Sequence, residues 1–334
     1  MNILLVSPLG FPINKDSRYT GIEALVYNYS VELSKTNNVT VMGHYQSIFP
    51  DGVAHLKTNP EGLEMFAESE LKQFQTYQSE FRKFDVIHDF SHQHFASRFI
   101  SNLPSLNIFW HAPNEVQYPK APYNIIGLSK WACRMFECYY HQKARWQISI
   151  ALDTHLYSPA GERGDRFLTI GRMGPDKGNL EAAQLCKEMN VPLDIAGQAG
   201  DKNYMDSVLT LCDGDKIKYV GEVTEVEKVA LMQKCKGLIY YLRRPEVTSH
   251  KIQEAMLCGA PIITSNIGAL SEIVTHGVDG FLCNNHNEFR SAIGNVMALT
   301  PTKTRAKIAE TYSMENVCRA YAPLYSQVAN GLRW

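Results

Sequence analysis

The sequence predicts an α/β protein of two doubly wound parallel-sheet domains, and three observations carry that prediction. Short apolar runs alternate with helix-patterned segments along the whole chain. Its 334 residues exceed one ordinary core and suit two domains of ~150 residues each. A stretch dense in turn formers, ALDTHLYSPAGERGD at residues 151–165, interrupts the alternation near the middle.

Taken in order, NILLVSP reads as the first strand, followed by a polar loop and then GIEALVYNYSVELSK with apolar residues at helical spacing. VTVMGHY, a polar helical region around 61–83, FDVIHDF, a helix near 93–102, LNIFWH, and NIIGLS with KWACRMFECYYHQKA continue the pattern. After the break come RFLTIGRM, NLEAAQLCKEMN, PLDIAGQAG, a helix near 201–212, KIKYVGEV and VEKVALMQKC. GLIYYLR, a helix at 250–258, APIITS, a helix near 269–275 and GFLC complete the second half. The expected domains are residues 1–155 and 156–313, with a last helical segment at about 314–334 packing back on the first domain.

Composition narrows the function classes. With 45% hydrophobic and 20% charged residues and a net charge of −1, the chain reads as soluble and globular. Scattered lysines and arginines form no basic stripe, which argues against a nucleic-acid partner. The eight cysteines include no CxxC and fit reduced core residues of a cytoplasmic protein. No window reaches the ~20 apolar residues of a membrane-spanning helix, and MNILLVSPLG lacks the basic start of a signal peptide. Peripheral membrane contact through a patch formed only on folding stays open.

The most informative stretch is RRPEVTSHKIQEAMLCGAPIITSNIGALSEIV. Glu246 precedes a helix start and Glu254 lies on its second turn, separated by the polar turn Thr248-Ser249-His250. A helix N-terminus offers unpaired N–H groups and the positive end of the dipole, and so favours a phosphate. Carboxylates beside it accept hydrogen bonds from sugar hydroxyls. The layout predicts a nucleotide-sugar pocket. In GRMGPDKGNLEAA, Arg172 and Lys177 flank a glycine-rich strand-to-helix turn suited to a diphosphate. The G-x-G-x-x-G fingerprint is absent after the first strand, so a dinucleotide-dependent dehydrogenase is disfavoured. Gly21 instead opens a helix after a long loop, either as a plain cap or to let an anion approach.

On these residues the chain resembles the GT-B glycosyltransferases, specifically glycosyltransferase family 4, which retains anomeric configuration and uses nucleotide sugars. The Glu246/Glu254 pair with EAMLCGAPIITSNIGALSEIV, the GRMGPDKG loop, IALDTHLYSP and TGIEALVYNYSVEL carry the likeness across nearly the whole chain. The resemblance implies two Rossmann-like domains facing a central cleft, the donor held by the C-terminal one. It implies Arg172 and Lys177 on the donor diphosphate, Glu254 on the ribose hydroxyls and Glu246 beside the donor sugar. The Thr248, Ser249, His250 and Lys251 amides would bind sugar and phosphate. His111 resembles a family histidine near the sugar, and Gly221 and Glu222 would lie near the nucleobase, with Gly21 at the donor. No cofactor or metal is implied beyond the donor substrate, UDP-sugar first and GDP-sugar second, and a hydroxyl acceptor. Departures are Val247-Thr248-Ser249 in place of the usual Pro-Phe-Gly, Thr20-Gly21 in place of paired glycines, and Leu242-Arg243 in place of Pro-Ser.

The expected activity is a metal-independent, retaining sugar transfer of the hexosyltransferase type. The leaving phosphate would be stabilised by Arg172, Lys177 and a helix N-terminus. Competing readings are an epimerase or phosphorylase on the same scaffold, and a non-catalytic nucleotide-sugar binder or partner subunit. Asp213-Gly214-Asp215 matches a metal-binding pattern but reads as a turn, and His88, His92 and His94 read as cleft-lining or capping rather than zinc-binding. Loops 10–20, 46–62 and 112–123 are the expected acceptor walls.

Overall fold

Long apolar runs buried on both faces require helices on both sides of a parallel sheet, and that is how the chain folds. The computed structural model describes residues 1–15, 21–60, 67–100, 102–110 and 123–334. It divides into two compact units, Met1–Leu152 with Tyr312–Trp334, and Asp153–Thr311.

In the first unit the elements run β1 (Asn2–Val6), α1 (Gly21–Ser34), β2 (Asn38–Gly43), β3 (Val53–Lys57), α2 (Ala67–Tyr77) and β4 (Val86–Asp89). They continue with α3 (Phe95–Phe99), β5 (Ser105–Phe109), β6 (Ile125–Gly127), α4 (Lys130–Tyr140) and β7 (Trp146–Gln147). Among the described residues the seven strands are ordered β3-β2-β1-β4-β5-β6-β7, all parallel. The second unit runs β8 (Phe167–Ile170), α5 (Asn179–Glu188), β9 (Leu193–Ala196), α6 (Lys202–Leu209), β10 (Ile217–Gly221), α7 (Glu225–Lys234) and β11 (Leu238–Tyr240). Then follow α8 (His250–Leu257), β12 (Ile262–Ser265), α9 (Leu270–Ile273), β13 (Gly280–Cys283), α10 (His286–Asn295) and α11 (Thr302–Tyr312). Its six strands are ordered β10-β9-β8-β11-β12-β13, again parallel. Both sheets therefore have the doubly wound Rossmann-like order, with the switch point between β1 and β4 in one and between β8 and β11 in the other.

A final helix, α12 (Met314–Ala329), belongs to the first unit and packs on α1, β4 and β5. Its Tyr321 and Tyr325 sit against His88 and Tyr29, and the Tyr325 hydroxyl lies 2.9 Å from His88 Nδ1. Burial pushes His88 down to about 3, so it is a neutral core side chain and not one lining a cleft. The turn at Asp213 is closed by its own carboxylate, which accepts from the Asp215 and Ile217 amides at 2.9 and 3.0 Å. Among the described residues no helix is long and apolar enough to cross a membrane, and all eight cysteines are free.

Some elements differ from the sequence expectation. The helix expected near 93–102 is confined to Phe95–Phe99, and β3, β7, α10 and α11 have no counterpart in the sequence reading. His111, and within the expected acceptor walls residues 16–20, 61–62 and 112–122, lie outside the described residues.

Candidate active site

In an open parallel sheet the loops after the two strands flanking the switch point converge, and in the second unit these are the loops after β8 and β11. The first holds Arg172 and Lys177, and the second holds Glu246 and leads into α8. Lys177 Nζ donates to Glu246 Oε1 at 2.6 Å and lies 3.6 Å from Asp176 Oδ2. The Tyr240 hydroxyl, at the end of β11, donates to the same Glu246 oxygen at 3.0 Å. Arg172 Nη2 donates to Asp176 Oδ1 at 3.1 Å while remaining partly exposed. Burial works against the charge on Lys177, but the Tyr240 oxygen and the Glu246 carboxylate, with Asp176, outweigh it and raise the ammonium above the usual lysine range. It is a cation at every accessible pH.

Two glycines hold this arrangement. Gly178 caps α5 in the left-handed region at φ 67°, and a Cβ there would lie 1.8 Å from the Tyr241 carbonyl oxygen. Gly178→Ala is expected to destabilise the protein by about 2–4 kcal/mol, combining the left-handed and overpacking costs; urea unfolding measures it. Gly268, at φ 61°, sits against the Glu246 backbone, where a Cβ would come within 2.6 Å of its carbonyl oxygen. The Ala269 amide donates to that same carbonyl at 3.0 Å, so the IGAL segment fixes Glu246 in the loop leading to α8.

The helix starts are also informative. In α6, α7 and α10 the cap side chain accepts from the first turn, whereas Gly178 and Ser249 give α5 and α8 no side-chain cap. A helix start without a side-chain cap, as at α8, is the kind that suits an external anion. Thr248 and Ser249 are buried, and burial pushes the partly buried His250 down to about 4, leaving it neutral near pH 7.

Glu254 is only 7% exposed. Its Oε1 accepts from Lys228 Nζ at 3.0 Å, and its Oε2 is buried with no hydrogen-bond partner. Lys228 also reaches Glu225 at 2.9 Å and stands over the Tyr157 ring, whose hydroxyl donates to Glu225. Burial alone would raise the Glu254 carboxyl, but Lys228 and then Lys251 outweigh it and hold it below the usual carboxylate range. Lys228, Glu225 and Tyr157 are not singled out by the sequence. The only local signal is a lysine in the first turn of a helix adjoining α8.

The structure therefore brings together Arg172, Lys177, Glu246, Thr248, Ser249, His250, Lys251 and Glu254. Gly221 and exposed Glu222 lie at the carboxyl end of the edge strand β10 and bond to none of these side chains. Gly21 begins α1 in the other unit, its Cβ position open. A groove of about 550 Å³ between α7 and the β8–β10 side of the sheet, lined by Leu168, Val220, Val223 and Leu231 among others, shares no residue with the cluster. Among the described residues no three His, Cys, Asp or Glu converge as a metal site.

Residues 158–312 match the family model for glycosyl transferases group 1. Over 155 aligned residues the chain is 23% identical to N-acetyl-alpha-D-glucosaminyl L-malate synthase of Bacillus anthracis, the match covering 44% of this chain and 40% of that enzyme's length. The whole chain is similar in fold to sucrose-phosphate synthase of Thermosynechococcus elongatus, with a TM-score of 0.80, 15% identity and coverage of 99% and 100% of the two chains. It is similar to AviGT4, a glycosyltransferase of avilamycin A biosynthesis, at TM-score 0.73, 19% identity and 100% and 99% coverage. The Anabaena protein HepE in complex with UDP and glucose gives TM-score 0.73, 17% identity and 97% and 99% coverage. The chain has the GT-B fold, and the part of its second unit that carries the Arg172–Lys177–Glu246–Glu254 cluster matches the glycosyl transferases group 1 family.

Proposed function

We propose that the chain transfers a sugar from a nucleoside diphosphate sugar to a hydroxyl acceptor, with the donor held by the second unit. The observation that carries this is the meeting of two cations, an uncapped helix N-terminus and two carboxylates at one switch point. Departure of a nucleoside diphosphate from an anomeric carbon builds charge on phosphate oxygens, and Arg172, Lys177 and the α8 amides are the groups that would take it. Because these cations can supply the neutralisation, the transfer is proposed to need no divalent metal. Glu254 Oε2, buried and unpartnered, suits a ribose hydroxyl. Glu246 is engaged by Lys177 and Tyr240, which makes it a poor nucleophile and favours a retaining, same-face displacement over a covalent glycosyl-enzyme. UDP is the first donor nucleotide to test, because HepE is described with UDP and glucose.

Calorimetric titration with UDP, GDP, ADP and TDP, each with and without EDTA, tests the pocket. One nucleotide is expected to bind in the micromolar range, insensitive to EDTA. NMR of the released sugar from the matching donor then reads the anomeric configuration. Failure of all four nucleotides to bind would remove the proposal's basis.

A further inference from the structure

We propose that the Lys251 side chain, beyond its backbone amide, contacts the donor diphosphate through its ammonium. This rests on the donor-site reading above and extends it to a residue whose side chain that reading leaves unused.

Besides the exposed Arg243 and Arg244 on the β11 loop, four cationic side chains, Arg172, Lys177, Lys228 and Lys251, gather around the β8 loop and the start of α8. Three are already answered within the protein. Arg172 is paired with Asp176, Lys177 with Glu246 and Asp176, and Lys228 with Glu225 and Glu254. Among the described residues, Lys251 alone of these four has no carboxylate within 4.0 Å and no hydrogen-bond acceptor. Its place makes that costly. It is partly buried, and it stands in the first turn of α8, where the helix dipole disfavours a cation. Its chain also runs beside that of Lys177: a Cβ on Gly171 would lie 4.0 Å from Lys251 Cε and 3.8 Å from Lys177 Cγ. Burial, with Lys228 and Lys177 adding to it against the pull of Glu254, brings the ammonium below the usual lysine range.

An unanswered ammonium next to two others is a poor choice for stability, and the same placement suits a multiply charged anion. The second open group at the site is Glu254 Oε2, which is buried and among the described residues has no hydrogen-bond partner. A nucleoside diphosphate satisfies both at once, with phosphate oxygens toward Lys251 and the α8 amides and a ribose hydroxyl toward Glu254. A carboxylate on the transferred sugar could also answer Lys251, and a nucleotide lacking the sugar distinguishes the two.

The test uses the full chain and the variants Lys251→Met and Lys251→Arg, with UDP, GDP, ADP and TDP as probes, read by calorimetry and thermal melting. Without ligand, Lys251→Met is expected to melt a few degrees above the wild type, since an unpaired cation has been removed. Its dissociation constant for the nucleotide that the wild type binds should rise by at least about tenfold, the scale of one charged hydrogen bond. Lys251→Arg should recover part of that affinity. Unchanged affinity in Lys251→Met overturns the inference while leaving the donor site standing, and points the ammonium at the sugar. A lower melting temperature marks a structural lysine and overturns it as well. If the wild type binds none of the four, the donor-site reading and this inference fall together.

Discussion

Lys177→Met is expected to lower turnover by about 10²–10³-fold, and Arg172→Ala by about 10²-fold, the range for removing one preorganised group that meets developing charge. The two differ because their surroundings differ. Arg172 is partly exposed and tied only to Asp176 four residues on, so water and the remaining cations replace part of its effect. Lys177 is less exposed, charged at every accessible pH, and held between Glu246 and Asp176, so its position is set before any ligand arrives. Its loss also releases Glu246, which keeps only the Tyr240 hydroxyl. The acceptor is best bypassed: release of nucleoside diphosphate from the sugar nucleotide in water measures leaving-group departure directly. The fall should be in kcat more than in KM, because the charge on the leaving phosphate is larger in the transition state than in the bound donor. Turnover within about threefold of wild type in Lys177→Met would remove the electrostatic role assigned to it.

Much of this site is readable before folding for a physical reason. Catalytic groups on a doubly wound sheet stand in the loops just past apolar strands, and FLTI followed by GRMGPDKG, or LIY followed by LRRPE, shows such a loop in plain sequence. The carboxylates at 246 and 254 are legible because helix geometry alone puts them near one helix start. Lys228 is not legible. In VEKVALMQKC its spacing marks it as a polar-face residue, and only the packing of α7 on α8 brings it to Glu254. Tyr157 is hidden likewise in a turn-rich linker, although it ends up buried against Glu225. In the fold, the strands buried on both faces announce themselves as continuous apolar runs, as NILLV and LIY do. VAHLK at the sheet edge is half solvated and has no such run, and Trp146–Gln147 is too short to carry a pattern. The helix His286–Asn295 did carry a signal: Phe289, Ala292 and Ile293 at helical spacing behind an Asn285 cap, diluted by polar residues on its outer face.

Lys228→Met is expected to destabilise the protein by about 3–5 kcal/mol near neutral pH, because Glu254 would be left as a buried carboxylate without its closest cation. The pH dependence separates this cause from simple loss of packing. In the wild type the folded Glu254 is held below the carboxylate range, so its contribution is complete above the unfolded pKa of about 4.3 and fades as pH falls through the lower folded value. Removing Lys228 leaves burial, the largest influence on this carboxyl, opposed chiefly by Lys251, and the folded pKa moves up. Once it passes the unfolded value the folded state binds the proton first, and stability rises as pH is lowered through the new folded pKa. Relative to wild type, the variant should therefore regain stability between pH 7.5 and 5. Other groups titrate in or near that window, Glu23 at about 7 within it and Glu70 at about 8 just above it, but they do so in both proteins and cancel in the difference. In the wild type His88 and His250, at about 3 and 4, stay neutral throughout it. Adding Glu254→Gln to Lys228→Met removes the stranded charge and should restore most of the loss at pH 7.5, with no regain on acidification. Urea unfolding of wild type, both single variants and the double at pH 5 and 7.5 measures the coupling. A deficit in Lys228→Met that is the same at both pH values, or that persists unchanged with Glu254→Gln, would mean that Lys228 matters for its aliphatic packing against Tyr157 and not for the charge it answers.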